Sequence, residues 1–268
     1  MDNHKTLTLA YSPCPNDTYI FAALSNGLLE NAPPIHVQLE DIENLNTAAL
    51  KGDFELMKVS YAVIPELLDN YQVLRSGGAI GHGCGPLLVT RPGESLKLED
   101  FADKLIAIPG ERTTAFMLLQ LALGKRPQTI AMRFDKIVDA VASGSVDAGL
   151  IIHESRFTYK DAGLRSVADL GEWWEAQTHL PVPLGAIVLR NDLRERTDEI
   201  TDAIRRSLRY ARENEKEVMK YVRRHAAEMD DAVIRKHIET YVNEFSEDVG
   251  DEGAAAANEL FARVRALV

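Results

Sequence analysis

The first 190 residues alternate short apolar runs with longer amphipathic segments. The apolar runs have the length of β-strands and the segments between them have the length of helices, a pattern typical of a parallel or mixed sheet flanked by helices. We therefore predict an α/β protein. The predicted strands are residues 7–11, 36–39, 56–59, 86–90, 105–108, 131–134, 148–152 and 185–189.

Three of the predicted helices carry polar residues at their starts. Asp17, Asp41 and Thr113 each precede a helical segment, and short polar side chains cap the first free N–H groups of a helix. The second and third of these segments finish at Gly52 and Gly124, where glycine suits the left-handed residue that ends a helix. The predicted starts are therefore Asp17, Asp41 and Thr113.

After Asn191 the sequence changes to charged segments with helical periodicity and no strand pattern. Ile234, Ile238 and Tyr241 recur at the spacing of one helix face. Two histidines of this region, His225 and His237, are assigned to exposed positions. The predicted helices are residues 193–213, 216–228, 232–245 and 252–267.

Two strand-like segments, residues 85–91 and 183–190, separate regions of different pattern. A chain that crosses twice between two lobes is divided in this way. We therefore expect a bilobal protein, with lobe I formed by residues 1–89 and 190–268 and lobe II by residues 90–189. Ligands of such α/β proteins bind beyond the carboxyl ends of strands and between domains, so we expect the ligand in a cleft between the lobes.

The charge balance limits the classes of partner. The 268 residues include 30 Lys and Arg against 41 Asp and Glu, a formal net charge of −11. Nucleic-acid binding and attachment to anionic membranes both depend on basic surface, and no basic stripe is present in the sequence. With 46% hydrophobic and 26% charged residues, the composition is that of an ordinary soluble globular protein.

The sequence predicts a reducing, cytoplasmic setting. The first residues show no export signal, and no apolar run reaches the length of a membrane span. Cys14 and Cys84 are the only cysteines and lack the Cys-x-x-Cys spacing of a metal or redox site. Neither a nucleotide-binding glycine motif nor a metal-ligand pattern is present, so we expect no cofactor and no metal.

The segment from Ser12 to Thr18 joins the first predicted strand to the first helix and contains two prolines. Asn16 and Asp17 lie at the helix start, where free N–H groups bind anions or hydroxyl groups. A rigid strand-to-helix turn explains the same residues equally well. Nothing local supplies a base for Cys14, which disfavours a nucleophilic role for this thiol.

Two further segments combine a strand end with groups that bind carboxylates. In Lys58-Val59-Ser60 the lysine offers a positive charge and the serine a hydroxyl. Arg112, Thr113 and Thr114 lie at the start of a predicted helix, where free N–H groups attract anions. A surface lysine and an ordinary helix cap are the alternative interpretations of these two segments.

His153 directly follows the apolar run 148–152. A histidine that follows a strand and is partly shielded from water can act as a general base near neutral pH, although a structural role is also open. His82, within the glycine-rich segment 81–85, is interpreted either as part of a hinge or as a group that closes on the ligand.

Longer motifs resemble the 1,4-dihydroxy-6-naphthoate synthase family, which acts in the futalosine route to menaquinone. The strongest is Gly-Leu-Ile-Ile-His-Glu-Ser-Arg-Phe-Thr-Tyr at 149–159, together with Ser-Pro-Cys-Pro-Asn-Asp-Thr-Tyr-Ile-Phe at 12–21. The resemblance extends over nearly the whole chain. It is supported by Arg-Ser-Gly-Gly-Ala at 75–79, Leu-Pro-Val-Pro-Leu-Gly at 180–185 and Thr-Tyr-Val-Asn-Glu-Phe-Ser at 240–246.

The resemblance implies a type II periplasmic-binding-protein fold and a cofactor-free lyase. Such an enzyme cleaves cyclic dehypoxanthine futalosine, an anionic substrate, to 1,4-dihydroxy-6-naphthoate and a triose. By motif, the proton-abstracting histidine falls on His153, and the substrate-contacting segments fall on residues 58–60 and 113–114. Two alternatives remain: a non-catalytic binding protein for a small carboxylate, and chorismate dehydratase of the same pathway. The oligomeric state is left open.

Overall fold

A computed structural model describes residues 6–93, 96–227 and 230–265. The strands are β1 (Leu7–Tyr11), β2 (Ile35–Leu39), β3 (Leu56–Ser60), β4 (Tyr71–Val73), β5 (Ala79–Gly81), β6 (Leu87–Thr90), β7 (Leu105–Ile108), β8 (Gln128–Ala131), β9 (Ala148–Ile151), β10 (Arg165–Asp169) and β11 (Val182–Arg190). The helices are α1 (Pro15–Ser25), α2 (Ile42–Lys51), α3 (Ile64–Leu67), α4 (Thr114–Leu123), α5 (Ile137–Ala142), α6 (Ser155–Thr158), α7 (Leu170–Thr178), α8 (Thr197–Glu213), α9 (Glu215–His225), α10 (Asp231–Tyr241), α11 (Glu244–Glu247) and α12 (Gly250–Arg265).

The described residues form two compact units, each assembled from separate parts of the chain. Unit 1 holds residues 6–80 and 185–251, and unit 2 holds residues 81–184 and 252–265. The sequence-based division fell instead at 89/90 and 189/190 and assigned the whole helical C-terminus to lobe I. The chain therefore returns to unit 2 near its end, a third crossing that the sequence did not predict.

Helix α12 belongs mainly to unit 2, contrary to that assignment. The Arg263 guanidinium lies over the Trp174 ring, 5.4 Å from its centroid. Arg263 Nη2 also donates to the Gln177 carbonyl at 3.5 Å. Trp174 and Gln177 are both on α7, so these contacts hold the last helix to unit 2. Composition after Asn191 gives no information about which unit a helix packs on.

Unit 1 is built on a mixed sheet with the strand order β2-β1-β3-β11-β4, and β5 pairs with β11. Strand β1 is parallel to β2 and β3, whereas β11 is antiparallel to β3 and β4. Helix α1 is buried along almost its whole length and shares a core with α8, α9 and α10. The fully buried residues of this core include Leu9 of β1, Phe21 of α1, and Ile204 and Leu208 of α8.

Unit 2 contains a five-stranded sheet with the order β10-β6-β9-β7-β8. Strand β7 is parallel to both β8 and β9, and β6 is antiparallel to β9 and β10. Helix α5 packs on the central strands, where Gly149 leaves room for Ile137 and Val141. A Cβ atom at Gly149 would lie 2.5 Å from the Ile137 side chain.

Seven of the eight predicted strands coincide with an observed strand or lie within one, apart from about one residue at an end. The prediction of a strand at 131–134 was wrong, because the strand is Gln128–Ala131 and a short 3₁₀ turn begins at Phe134. β8 is an edge strand with an exposed face, so it tolerates the polar residues Gln128 and Thr129. Strands β4, β5 and β10 were not predicted.

The caps of two helices are confirmed. Asp41 accepts a hydrogen bond from Glu43 N, and Thr113 accepts one from Phe116 N. Gly52 and Gly124 end these helices in the left-handed conformation, with φ of 75° and 65°. The start predicted at Asp17 was wrong, since α1 begins at Pro15 and its ring fixes a helical φ in the first turn.

The predicted C-terminal helices are present as α8, α9, α10 and α12. The ends predicted at 228 and 267 lie outside the described residues. The segment 232–245 is divided into α10 and α11 by Val242 and Asn243, which have extended backbone conformations. Among the helices that the structure describes, none has the length and apolar character needed to cross a membrane.

Candidate functional site

Unit 1 places Lys58 and Asp17 in a buried ion pair. Strands β1 and β3 are parallel neighbours, so the chain leaves both at the same edge of the sheet. The α1 start follows β1, and Lys58 lies within β3. Lys58 Nζ lies 2.7 Å from Asp17 Oδ1, and the two side chains are 4% and 3% exposed. Asp17 and Lys58, which belong to separate sequence motifs, therefore lie in one cluster.

Three side chains donate hydrogen bonds to the Asp17 carboxylate. Lys58 Nζ and Asn16 Nδ2 donate to Oδ1 at 2.7 Å and 2.8 Å, and Ser12 Oγ donates to Oδ2 at 2.8 Å. Asn16 Oδ1 lies 2.9 Å from Nε2 of His237, a fully buried residue of α10. With three donors, the orientation of the carboxylate is fixed.

This arrangement changes the role predicted for Lys58. We expected its charge to neutralise a carboxylate of the ligand, but the structure pairs it with Asp17 inside the protein. A second N–H group donates to the Gly77 carbonyl at 3.0 Å. The third has no acceptor among the described residues and is available to a ligand oxygen. Lys58 thus offers a directed hydrogen bond rather than an uncompensated charge, and its ammonium disfavours a metal ion in this cluster.

Ser60, at the end of β3, makes two hydrogen bonds with Asn46 of α2. Its amide N–H donates to Asn46 Oδ1 at 2.8 Å, and its Oγ accepts from Asn46 Nδ2 at 3.0 Å. Val59, between Lys58 and Ser60, points into the core and is fully buried. Val59 thus has only backbone groups to offer a ligand, whereas Ser60 keeps a polar side chain at the strand end.

Gly185 leaves the space that the Lys58 side chain occupies. The two strands β3 and β11 are antiparallel, with Gly185 opposite Ser60. A Cβ atom at Gly185 would lie 2.9 Å from Lys58 Cε and 3.3 Å from the Val59 carbonyl oxygen. The glycine of the Pro-Leu-Gly segment is therefore needed for the position of Lys58.

Unit 2 brings the His153 and Thr113 segments to one edge of its sheet. Strands β7 and β9 are adjacent and parallel, with Ile106 opposite Ala148. The chain continues from β7 to Thr113 and from β9 to His153. Because the carboxyl ends of parallel neighbours meet at the same edge, both segments begin there.

At the start of α4 the Thr113 hydroxyl is already used within the protein. It donates to the Gly110 carbonyl at 2.8 Å and accepts from Phe116 N at 3.2 Å. Thr114 Oγ1 donates to the Leu184 carbonyl at 2.8 Å. Both threonines are buried, whereas Arg112 is exposed. The hydroxyls thus stabilise the helix start, and its N–H groups are the better anion donors.

His153 has a backbone conformation that is rare for a residue with a side chain. Its φ is +56°, two residues beyond the end of β9. Left-handed conformations cost a non-glycine residue about 1–2 kcal/mol and are concentrated at functional sites. The ring contacts Phe134 edge to face, with centroids 4.8 Å apart, and the His153 carbonyl accepts from Arg156 N at 3.2 Å. The turn therefore directs the imidazole away from the course of the strand.

The segment that contains His82 is held to α7 by Glu175. This carboxylate accepts from Gly83 N at 2.8 Å and lies 3.2 Å from His82 Nδ1. Cys84, close by in the chain, is buried, and burial raises the pKa of its thiol to about 12. A thiol with this pKa is protonated at neutral pH, which disfavours a nucleophilic role.

Two buried polar residues of unit 1, which hydrogen-bond to Asn16 and to Ser60, were not predicted from the sequence. His237, predicted to be exposed, is fully buried, and Asn46 is also fully buried. His237 follows Ile234 by three residues, so it lies on the same face of α10 as this buried isoleucine. Asn46 stands three residues before the buried Ala49 in the same way. The only indication in the sequence that His237 and Asn46 are buried is therefore their helical spacing from buried residues.

The fold is that of the periplasmic-binding-protein-like α/β class. The ligand-binding component of an ABC-type import system from Staphylococcus aureus has a similar structure, with a TM-score of 0.70, 12% identity and coverage of 98% of this chain and 91% of that one. At this identity the similarity shows the fold alone. A crystal structure of a protein from Archaeoglobus fulgidus is much closer, with a TM-score of 0.92, 34% identity and coverage of 99% and 98%.

Sequence comparison identifies the family. The model of the family described as Menaquinone biosynthesis matches residues 7–266, and the chain belongs to this family. It is 50% identical over 264 residues to the 1,4-dihydroxy-6-naphtoate synthase of Thermus thermophilus, covering 98% of this chain and 95% of that protein. The synthase of the same name from Streptomyces coelicolor is 45% identical over 267 residues, covering 97% and 93%.

Proposed function

We propose that this protein is a carbon–carbon lyase that converts cyclic dehypoxanthine futalosine to 1,4-dihydroxy-6-naphthoate, with release of the triose dihydroxyacetone. The observation that carries the proposal is the identity of 50% and 45%, over nearly the full chain, to two proteins named for this synthase. Membership of the menaquinone biosynthesis family supports the same pathway.

His153 is the general base of the proposed reaction. In its neutral form the imidazole removes a carbon-bound proton from the substrate, cleavage of a carbon–carbon bond follows, and aromatisation of the new ring drives the reaction. The left-handed backbone at His153 supports this role, because strain of this kind is retained where a side chain must have a particular direction. General bases typically contribute about 10²–10⁴-fold to the rate.

The remaining residues bind the anionic substrate. Lys58 and Ser60 each supply one hydrogen-bond donor, and the Val59 segment contributes backbone. The start of α4, with Thr113 as its cap and Thr114 as its first residue, provides backbone N–H groups, and the exposed Arg112 adds a positive charge. The N–H of Thr113 itself donates to the Gly110 carbonyl at 3.4 Å, so these donors lie after Thr113. Asn16 and Asp17 act by orienting Lys58, which the three donors to the Asp17 carboxylate support. No cofactor takes part in this scheme. The cytoplasmic location of the protein stays a prediction.

The decisive experiment is turnover of purified protein with cyclic dehypoxanthine futalosine, followed by mass spectrometry of the naphthoate. Formation of 1,4-dihydroxy-6-naphthoate supports the proposal. Binding without turnover would identify a solute-binding protein, and consumption of chorismate would identify the dehydratase. Either result contradicts the proposal.

The role of His153 is tested with His153→Asn, because asparagine tolerates a positive φ better than alanine does. We expect kcat to fall about 10²–10⁴-fold while the unfolding midpoint is retained. His36→Asn is the matched control, since His36 is an exposed residue of β2. A folded His153→Asn variant with wild-type kcat would refute the assignment of the base.

A further inference from the structure

The hydrogen bonds between Asn46 and Ser60 determine which atom of the Asn46 amide faces which atom of the serine. The backbone N–H of Ser60 can only donate, so the group 2.8 Å away must be the carbonyl oxygen Oδ1 of Asn46. The amide nitrogen Nδ2 then lies 3.0 Å from Ser60 Oγ, and an amide nitrogen can only donate. The Ser60 oxygen is therefore an acceptor in this contact.

Glu43 fixes the same orientation from the other side. Asn46 Nδ2 lies 3.5 Å from Glu43 Oε2, one turn earlier on α2. A reversed amide would place its oxygen against this carboxylate and its N–H groups against the Ser60 N–H. Both contacts would be repulsive in a region where Asn46 is fully buried.

We propose that Asn46 is a positioning residue that keeps Ser60 as a hydrogen-bond donor to an oxygen of the substrate. Ser60 Oγ accepts from Asn46, so its own hydrogen points elsewhere. This hydrogen has no acceptor among the described residues, although Ser60 is only 3% exposed. A carboxylate oxygen, which can only accept, is the matching group. The inference rests on the proposed function, in which Ser60 contacts an anionic substrate.

A purely structural role of Asn46, in which it only binds the Ser60 backbone, predicts that a variant keeping this hydrogen bond has the wild-type KM. The positioning role predicts a higher KM. Ser60 is beyond the part of β3 that pairs with β1, and Asn46 Oδ1 supplies the acceptor for its backbone N–H. Asn46→Asp keeps this acceptor. Its second carboxylate oxygen would also face Glu43 Oε2, and this repulsion should lower the free energy of unfolding. The same oxygen would accept the Ser60 hydrogen and turn the hydroxyl away from the substrate, which should appear in KM.

The experiment compares steady-state kinetics of the wild type, Asn46→Asp, Ser60→Ala and the double variant. We expect Asn46→Asp and Ser60→Ala each to lower kcat/KM about 10- to 100-fold, mainly through KM, because each loses a hydrogen bond to a charged group. The double variant should show no larger loss than Ser60→Ala alone. Asn44→Asp is the matched control, since it places the same charge on an exposed position of α2 and should behave like the wild type.

The outcomes distinguish this inference from the proposed function. If the wild type does not convert the substrate, the proposed function fails and the inference falls with it. If the wild type is active and the folded Asn46→Asp variant has the same KM as the wild type, only the inference is refuted. The same holds if the losses of Asn46→Asp and Ser60→Ala add in the double variant. Should Asn46→Asp not fold, Ser60→Ala with an unchanged KM is sufficient to refute it.

Discussion

His237 and Asn16 are hydrogen-bonded within unit 1 although 221 positions separate them in the chain. Asn16 Nδ2 donates to the Asp17 carboxylate, so its Oδ1 must face His237 Nε2 at 2.9 Å. An amide oxygen can only accept, and Nε2 of His237 therefore carries a hydrogen. Through Asn16, the histidine helps to fix the carboxylate that holds Lys58.

We predict that His237→Gln preserves this support and that His237→Leu does not. Glutamine can present an N–H group near the position of Nε2, whereas leucine leaves Asn16 Oδ1 buried without its donor. The unsatisfied carbonyl should cost about 1–3 kcal/mol in the free energy of unfolding, measured in urea. Nitrogen NMR of the wild type should show a hydrogen on Nε2. An unprotonated Nε2 in the folded protein would contradict the interpretation.

The buried pair of Lys58 and Asp17 predicts strong coupling between the two residues. Asp17→Asn and Lys58→Met should each lower the free energy of unfolding by about 3–5 kcal/mol, because each leaves one buried charge without its partner. The double variant should lose less than the sum of the two. Urea unfolding at pH 7 gives all three values.

The control for this pair is the exposed contact between Lys125 and Asp103, 2.8 Å long. The corresponding substitutions there should leave the unfolding midpoint almost unchanged, since solvent screens exposed pairs. Additive effects at Lys58 and Asp17 would show that the two charges do not stabilise each other.

Gly185→Ala should disturb the site without backbone strain. The new Cβ atom would lie 2.9 Å from Lys58 Cε, so the lysine side chain must shift. We expect a higher KM for the substrate and a loss of about 1–3 kcal/mol in the free energy of unfolding, as for other overpacked sites. Gly93→Ala is the control, because nothing lies within 4 Å of a Cβ atom there. Equal KM values for the two variants would refute the requirement for glycine at 185.

Cys84 should make the protein less stable as the pH rises above about 9. Burial raises the pKa of this thiol from 9.0 to about 12 in the folded state. Between these values the unfolded chain has lost the proton and the folded chain retains it, so stability falls by about 1.4 kcal/mol per pH unit from this group. Burial also raises the pKa of Tyr11 and Tyr61, which acts in the same direction at higher pH.

The measurement is the free energy of unfolding in urea between pH 8 and 10.5, in the wild type and in Cys84→Ala. The variant should be less stable at pH 8 because of the cavity, but its stability should fall less steeply with pH. Identical slopes would contradict the shifted pKa. Cys14 is retained in both proteins, so the difference reports on Cys84 alone.

Much of the fold was predictable because its signals are local. The alternation of apolar runs and amphipathic segments depends on the periods of strands and helices, and the caps Asp41 and Thr113 act within one helical turn. The exceptions are elements whose stability comes from their neighbours. Strand β8 is polar because it lies at a sheet edge, and α12 joins unit 2 through contacts with α7.

The sequence by itself determined the candidate polar segments, residues 12–18, 58–60, 113–114 and 153, but not the buried partners Asn46 and His237. Only the tertiary structure decided what those groups do. Pairing of β1 with β3 brings Asp17 to Lys58, 41 positions away. The Lys58 charge, which was expected to pair with the ligand, therefore pairs with the Asp17 carboxylate. Packing of α10 on α1 similarly buries His237, which its charged helix had made appear exposed. Local sequence determines backbone conformation, but the partners of a buried polar group come from distant segments, and periodicity does not identify them.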